Sequence, residues 1–389
     1  MSTQALMNTY GERAITLVKG EGMHLWDDQG RRYLDALSGI AVCALGHCHP
    51  AFTQAITEQA QTLVHVSNLY NIQPQEKLAE QLCSQSGMEK VFFSNSGAEA
   101  NEAAIKIARK YGNEKGIDCP TIITMNGSFH GRTMATLSAT GNPKVQQGFE
   151  PLVSGFVNAP YNDVEAVKAL AEQNNNIVAI LVEPVQGEGG VNVPAGDYLN
   201  QLRDICDQND WLLMLDEIQT GNGRTGKYFA FQHNGIKPDV VTTAKGLGNG
   251  LPIGACLAQG KAAEILQPGN HGSTFGGNPL ACHGASAVVE TLVNDKLIEN
   301  AEAQGQYLLK SFGEALQGNG KVVDIRGLGL MVGIQLNQDC PQLVAKAMEA
   351  GLLLNVTAGN TIRLLPPLIL SQADADNIVE KVIALINAL

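Results

Sequence analysis

The sequence is poor in aromatic residues and has no apolar run long enough to span a membrane. Phe, Trp and Tyr make up 5% of the 389 residues, although apolar types together make up 44%. The core must therefore rest on Ala, Val, Leu and Ile, which suits buried parallel strands flanked by helices. No apolar stretch approaches the ~20 residues of a transmembrane helix, and the N-terminus lacks the pattern of a signal peptide. We therefore expect a cytoplasmic protein without a membrane partner.

Basic residues and paired cysteines are also scarce. The chain has 26 Lys and Arg against 38 Asp and Glu, a net charge of −12 and a pI near 5.1, so a nucleic-acid partner is not expected. Its eight cysteines form no C-x-x-C pair, which is typical of reduced thiols in the cytosol. The segment His47-Cys48-His49 has no second ligand pair at zinc spacing, and we expect no metal site.

Short apolar runs alternate with amphipathic stretches through the middle of the chain. This alternation predicts an α/β fold with a mostly parallel sheet covered by helices. The turn-rich start of the chain and its helical last third do not show this alternation. The last third begins at the turn signal Gly276-Gly277-Asn278-Pro279. Because 389 residues exceed the usual size of one hydrophobic core, we expect a large domain over 51–275. A smaller α+β domain would combine 1–50 with 276–389.

Polar segments follow five of the predicted strands. Ligands of open parallel sheets bind beyond the carboxyl ends of the strands, so these segments are the candidate site. They are Ser94–Glu102 after VFFS, Ser128–Thr133 after TIITM, Glu183–Gly190 after IVAILV, Asp216–Gln219 after WLLML and Lys245–Leu247 after DVVTTA. Their joint occurrence at one sheet edge is a stronger signal than any one of them.

The first segment combines small residues with the start of a predicted helix. Gly97 and Ala98 would let the backbone approach an anion, and the free N–H groups of a helix N-terminus favour phosphate. The alternative is an ordinary helix cap in which Ser96 and Glu99 form a capping box.

An acid and a lysine end two adjacent predicted strands. Asp216 would be costly to bury without a cationic partner, and a protonated pyridine nitrogen is such a partner. Lys245 at the end of an apolar strand can have its pKa lowered, which makes it a candidate Schiff-base nucleophile. The alternative for each side chain is simple exposure to solvent.

The two remaining segments supply an aromatic ring and further charges. Phe129 could stack on a flat ring, and Arg132 offers a planar fork to a carboxylate, although both could equally be a packed aromatic and a surface arginine. Glu183 and Glu188 lie in a glycine-rich acidic loop. A phosphate loop, an acid and a lysine are the parts that a pyridoxal-phosphate site needs.

At this point the chain resembles the subgroup III, ornithine/GABA-type aminotransferases among the fold-type-I pyridoxal-phosphate enzymes. The resemblance runs from about Tyr10 to the C-terminus. It is carried by GHCHP, FSNSGAEANEAAIK, SFHGRT, EPVQGEGG, LDEIQTGNGRTG, TTAKGLGNGLPIGA, HGSTFGGNPLAC and TIRLLPPL. The resemblance implies a fold-type-I transferase with a large and a small domain.

The resemblance also implies roles for individual residues. Lys245 would form the Schiff base with pyridoxal 5′-phosphate, and Asp216 would pair with its pyridine nitrogen. The other implied cofactor contacts are Gly97, Ala98, Phe129, Glu217, Ile218 and Gln219, with Thr274 reaching the phosphate from the neighbouring subunit of a homodimer. The implied substrate contacts are Arg132 and Ser273, with Arg363 for the α-carboxylate of glutamate and Glu188 to neutralise Arg363 when that carboxylate is absent.

The narrower motifs HVSNLY, GIAVCALGH and GNHGSTFGGNPLAC imply N2-acetyl-L-ornithine as amino donor and 2-oxoglutarate as acceptor, in arginine biosynthesis. The products would be N-acetyl-L-glutamate 5-semialdehyde and L-glutamate. Ornithine, succinylornithine and N-succinyl-diaminopimelate share the same carboxylate-and-amine geometry and stay open as donors. Two rival classes are also open. The pair Glu188 and Arg363 disfavours an aminomutase or racemase, and the intact Lys245 and Asp216 disfavour a binding protein without activity.

Overall fold

The computed structural model describes residues 5–11 and 13–389. The strands are β1 (Leu17–Glu21), β2 (His24–Asp27), β3 (Arg32–Asp35), β4 (Lys90–Ser94), β5 (Thr121–Met125), β6 (Phe156–Ala159), β7 (Ile177–Val182), β8 (Leu212–Asp216), β9 (Val240–Thr243), β10 (Gly254–Ala258), β11 (Val322–Leu328), β12 (Met331–Leu336), β13 (Leu352–Leu353), β14 (Asn355–Thr357) and β15 (Thr361–Leu364). The helices are α1 (Ser38–Ala41), α2 (Pro50–Thr62), α3 (Gln73–Ser86), α4 (Gly97–Glu114), α5 (Met134–Ala139), α6 (Pro143–Gln146), α7 (Val164–Gln173), α8 (Tyr198–Asn209), α9 (Pro279–Asn294), α10 (Leu297–Ala315), α11 (Gln342–Glu349) and α12 (Gln372–Asn387).

The largest sheet has seven strands in the order β4-β10-β9-β8-β7-β5-β6. Strands β9, β8, β7, β5 and β6 run parallel to one another, and β10 runs antiparallel to both β4 and β9. The connection between β9 and β10 consists of residues 244–253. It is shorter than the dozen or more residues that a crossover between parallel strands needs, so β10 pairs antiparallel with β9. The α/β class with a mostly parallel sheet is thereby confirmed.

The central strands are apolar along their whole length because both faces of the sheet are covered. All six residues of β7 are buried. Its Leu181 packs in one cluster with Ala104 and Ala108 of α4, and Ile180 packs in another with Leu202 of α8. Since successive side chains of a strand point to opposite faces, a strand between two helical layers reads as a continuous apolar run.

Two four-stranded sheets lie outside the large one. One has the order β1-β2-β3-β13 and the other β11-β12-β15-β14. In the first, β2 and β3 pair antiparallel, and β13 adds in parallel with Leu34 opposite Leu352. The strands of the large sheet fall within 51–275 and the others outside it, but the domain boundaries themselves stay a prediction.

The carboxyl ends of β4, β5, β7, β8 and β9 lie at one edge of the large sheet. Strand β10 lies between β4 and β9 and is antiparallel to both, so β4 runs in the same direction as β9. The five polar segments of the sequence are therefore brought to the same edge. Across residues 5–11 and 13–389, no helix is both long and apolar enough to cross a bilayer.

Candidate active site

A cavity of about 400 Å³ opens at the carboxyl edge of the large sheet. Its size suits a small organic ligand. Nine of the residues that the sequence analysis assigns to the site line it: Gly97, Ala98, Phe129, Arg132, Glu188, Asp216, Ile218, Gln219 and Lys245. The structure thus brings together four of the strand-end segments and the lysine that follows β9.

Asp216 is the last residue of β8 and is 3% exposed. Its Oδ2 accepts hydrogen bonds from His130 Nδ1 at 2.7 Å and from Asn101 Nδ2 at 2.8 Å. Burial lowers the pKa of His130, but the hydrogen bond and the charge of Asp216 outweigh burial and raise it above its usual range. Asp216 is therefore a buried, positioned carboxylate and not a solvated strand-end acid.

Lys245 opens a single 3-10 turn directly after β9 and lines the cavity. Its φ of +44° lies in the left-handed region, which side chains other than glycine rarely adopt and which concentrates at functional sites. Burial lowers the pKa of Lys245, and the nearby negative charge of Glu188 offsets part of that shift. A lysine of this kind has more of its uncharged, nucleophilic form at neutral pH.

The segment after β4 is both a helix cap and a lining of the cavity. Ser96 Oγ accepts the N–H of Glu99, and the carboxylate of Glu99 accepts the N–H of Asn95 at 2.6 Å. A Cβ on Gly97 would lie 2.7 Å from Ile218 Cδ1, so glycine is needed where the helix meets the segment after β8. The two interpretations of this segment are compatible, because the cap fixes the N–H groups that a phosphate would contact.

Arg363 on β15 is fully buried beside the cavity and is held by three acceptors. Nη1 donates to Glu188 Oε1 at 2.7 Å and to Gln219 Oε1 at 3.3 Å, and Nε donates to Asn355 Oδ1 at 3.1 Å. Burial raises the pKa of Glu188, but the charge and hydrogen bond of Arg363 outweigh burial and lower it. Within the described chain, Nη2 of Arg363 has no hydrogen-bond partner, so a donor remains free for a carboxylate.

Phe129 and Arg132 form one wall of the cavity. The guanidinium carbon of Arg132 lies 5.6 Å from the centre of the Phe129 ring, within range of a cation–π contact. Arg132 is exposed at the mouth of the cavity, where an incoming carboxylate can reach it.

Apart from Arg363, which lies beside the cavity, three assigned residues do not line it. Glu217 is fully buried, but its carboxylate accepts the backbone N–H groups of Ala230 and Phe231. Its carboxylate is occupied by these groups, and the expected role of Glu217 at the cofactor stays a prediction. Ser273 is half-buried and its Oγ accepts a hydrogen bond from Asn95, which lines the cavity, whereas Thr274 is exposed.

Three buried residues of the candidate segments were given no individual role from the sequence. Asn101 links Asp216 to Thr242 of β9, and His130 holds Asp216 from the opposite loop. Glu183 is 6% exposed and follows β7, and burial, with the charge of Asp216 adding to it, raises its pKa to about 7. His130 and Glu183 lie in segments that the sequence had already selected, but their position next to Asp216 becomes visible only in the fold.

The chain belongs to the class-III aminotransferases, whose family model matches residues 6–386. Among curated proteins it is 59% identical to the acetylornithine aminotransferase of Nitrosomonas europaea, over 98% of this chain and 97% of the relative. It is therefore a transaminase.

Solved structures extend the comparison. The N-acetylornithine aminotransferase of Stenotrophomonas maltophilia superposes with a TM-score of 0.85 at 37% identity, covering 98% of both chains. An ornithine aminotransferase of Toxoplasma gondii, described as having partial occupancy of pyridoxal phosphate at its active site, superposes with a TM-score of 0.94 at 34% identity, covering 97% of this chain and 92% of that one. The family thereby implies pyridoxal phosphate as cofactor.

The residues of the cavity fit that cofactor. Gly97 lets the helix N-terminus pack against Ile218 at the cavity, Asp216 supplies a buried acid for a cationic ring nitrogen, and Lys245 supplies an amine of lowered pKa.

Proposed function

We propose that the protein transfers the terminal amino group of N2-acetyl-L-ornithine to 2-oxoglutarate, giving N-acetyl-L-glutamate 5-semialdehyde and L-glutamate. The reaction would serve arginine biosynthesis in the cytoplasm. The observation that carries this proposal is the 2.7 Å ion pair between Arg363 and Glu188 beside Lys245. The names of the curated and structural relatives support the choice of donor.

The ion pair answers a problem that two unlike donors create. Glutamate carries a carboxylate on the carbon that bears its reacting amine, whereas the reacting carbon of N-acetylornithine carries none. A bare Arg363 would capture the wrong carboxylate of N-acetylornithine. Paired with Glu188, Arg363 is neutralised for one donor, and it is available to the other when Glu188, whose side chain is 37% exposed, swings aside.

Pyridoxal phosphate, when bound, supplies an electron sink for the negative charge that develops on the substrate carbon. We propose that Lys245 holds it covalently through Nζ, that Gly97 and Ala98 meet its phosphate with their N–H groups, and that Phe129 flanks its ring. Asp216 would face the ring nitrogen.

The side chains of this chain would then divide the remaining work. Nζ of Lys245, once released, takes the proton from the substrate carbon that bears the amine, acting as general base and then as general acid. Asp216 is held toward the ring because His130 and Asn101 donate to its Oδ2. Arg132 at the mouth would hold the distal carboxylate, and Ser273, whose Oγ accepts a hydrogen bond from the cavity-lining Asn95, would contact the acyl group.

We further propose a homodimer in which Thr274 reaches the phosphate site of the partner. Thr274 is exposed and lies beside Phe275, which is 62% exposed. Asn68 Nδ2 donates to the carbonyls of Ser273 and Gly276, which ties this loop to a neighbouring loop whose Leu69 is 87% exposed. An exposed apolar face of this kind indicates a protein contact, and a second copy is the occupant that would complete the site.

The test is a set of half-reactions without keto acid. The holoenzyme is mixed with N-acetylornithine, succinylornithine, ornithine, GABA or glutamate, and the visible absorbance of the cofactor is followed. Fast loss with N-acetylornithine and with glutamate, and slow loss with ornithine and GABA, is the expected result. Fastest reaction with ornithine would overturn the choice of donor, and comparable reaction with succinylornithine would widen it.

A further inference from the structure

Glu183 is a buried acid for which neither the reaction nor the binding of substrate requires a role. It directly follows β7, lines the cavity and is 6% exposed. A buried carboxylate is costly unless its oxygens are hydrogen-bonded. Its hydrogen bonds therefore indicate what it is kept for.

The two carboxylate oxygens of Glu183 accept backbone N–H groups from two different loops. Oε2 accepts from Phe129 at 3.1 Å, and Oε1 accepts from Gly187 at 3.4 Å. Phe129, which would flank the cofactor ring, belongs to the same loop as Arg132. Gly187 directly precedes Glu188, the partner of Arg363. One side chain thus joins the ring-stacking loop (128–133) to the switch loop (186–190).

The backbone at Glu183 is also held in place. The hydroxyl of Tyr161 donates to the backbone carbonyls of Glu183 and Pro184 at 3.1 and 3.0 Å. A second link runs between the same two regions, since Gln186 Nε2 donates to the carbonyl of Asn126 at 2.8 Å. The two loops are therefore held relative to each other and to the sheet.

The switch loop has little room to move without disturbing the ion pair. A Cβ on Gly187 would lie 2.1 Å from Gln219 Oε1, so the backbone of this residue packs directly on Gln219. Gln219 in turn accepts a hydrogen bond from Arg363 at 3.3 Å. A displacement at Gly187 would therefore affect two of the three acceptors of Arg363, Gln219 and Glu188.

We propose that Glu183 is a positioning residue that couples the ring-stacking loop to the switch loop and so sets the preference between donors with and without a carboxylate beside the reacting amine. The effect of Glu183 on donor preference rests on the proposed function. Its effect on the position of the two loops rests on the hydrogen bonds of Glu183 alone. Glu183 acts through Phe129 and Glu188, and it needs no contact with the substrate.

The first experiment measures the loops directly. Hydrogen–deuterium exchange is followed by mass spectrometry on peptides that cover residues 127–133 and 185–192 of the substrate-free holoenzyme. Glu183→Ala should raise exchange in both peptides by roughly 10-fold, the effect of losing one hydrogen bond per loop. Glu183→Gln keeps a single acceptor oxygen and should raise exchange in one peptide only.

A matched control comes from the opposite edge of the same sheet. Asp239 also accepts a backbone N–H, that of Leu213 at 2.8 Å, and lies just before β9. Asp239→Asn should loosen the start of β8 and leave the exchange of both loop peptides at the wild-type level. Unchanged exchange of both peptides in Glu183→Ala would overturn the inference.

The second experiment measures the donors. In Glu183→Ala the ratio of the half-reaction rate with N-acetylornithine to that with glutamate should fall about 10-fold, with a smaller fall in Glu183→Gln and none in Asp239→Asn. An equal loss in both half-reactions of Glu183→Ala would refute the specificity role. If the wild-type holoenzyme reacted with neither donor, the proposed function would fail, whereas the exchange experiment would still decide the coupling of the loops.

Discussion

Replacing Glu188 with Gln should change the preference between the two donors more than it changes the overall rate. The substitution keeps the shape of the side chain and removes its charge. Arg363 would keep its contacts to Gln219 and Asn355 but would lose its neutralising partner. N-acetylornithine would then meet an unmatched cation, whereas glutamate would no longer have to displace Glu188 before its α-carboxylate reaches Arg363.

The size of the effect follows from the burial of the two partners. Arg363 is fully buried and the side chain of Glu188 is 37% exposed. Breaking a fully buried pair by removing one partner costs about 3–5 kcal/mol, whereas an exposed pair contributes about 0–1 kcal/mol. A pair with one partner in each environment should be worth about 2 kcal/mol, which corresponds to about a 30-fold change in the ratio of the two half-reactions.

The assay compares single-turnover rates of the holoenzyme with N-acetylornithine and with glutamate. Wild type, Glu188→Gln and a control, Glu290→Gln, are measured side by side. Glu290 forms an exposed 2.7 Å pair with Lys77, so its substitution should leave both rates unchanged. Equal loss in both half-reactions of Glu188→Gln would refute the reasoning, because a general loss of structure affects both donors alike.

Three further predictions concern cofactor binding, pH and assembly. Gly97→Ala places a Cβ 2.7 Å from Ile218 Cδ1 and should weaken cofactor binding about 10-fold in equilibrium dialysis, with recovery when Ile218→Ala is added; unaltered binding by Gly97→Ala would contradict the close-packing argument. Burial raises the pKa of Glu217 from 4.5 to about 7, so its contribution to stability is full below pH 4.5 and is lost as the pH rises through about 7. Between pH 4.5 and pH 8, the free energy of unfolding of wild type should therefore fall by up to about 3 kcal/mol relative to that of Glu217→Gln. A difference in unfolding free energy between the two proteins that does not vary with pH would contradict the raised pKa. Phe275→Arg puts a charge on the exposed apolar face beside Thr274 and should yield monomers in light scattering, whereas a dimer at the same protein concentration would exclude this face as the interface.

The sequence was sufficient for the five strands of the large sheet that precede the polar segments and for the residues at their ends, but it did not predict β6. Apolar runs that stop at a polar residue are a local pattern, and Asp216 and Lys245 were found in this way. The support around Asp216 was not found, because Asn101 and His130 are 115 and 86 residues away along the chain. Which distant side chains meet at a strand end depends on the order of strands in the sheet, and no local pattern contains that order.

Adjacent residues show a second limit. Asp216 and Glu217 were assigned together, but the structure turns the first to the cavity and the second to the N–H groups of Ala230 and Phe231. Successive side chains at the end of a strand point to opposite sides. A difference of one residue in where the strand ends therefore decides which acid meets the ligand.

The pairing of β3 with β13 has a consequence for how the chain is made. Leu34 lies opposite Leu352, so the sheet formed by the first strands is completed by a segment that leaves the ribosome 318 residues later. At about 5–20 residues per second this interval lasts about 15–60 s. During that time the nascent chain holds an unpaired strand edge, the kind of surface that pairs with other chains. The early strands should therefore be a site where chaperones bind during translation, and chains that stop before residue 352 should aggregate or be degraded.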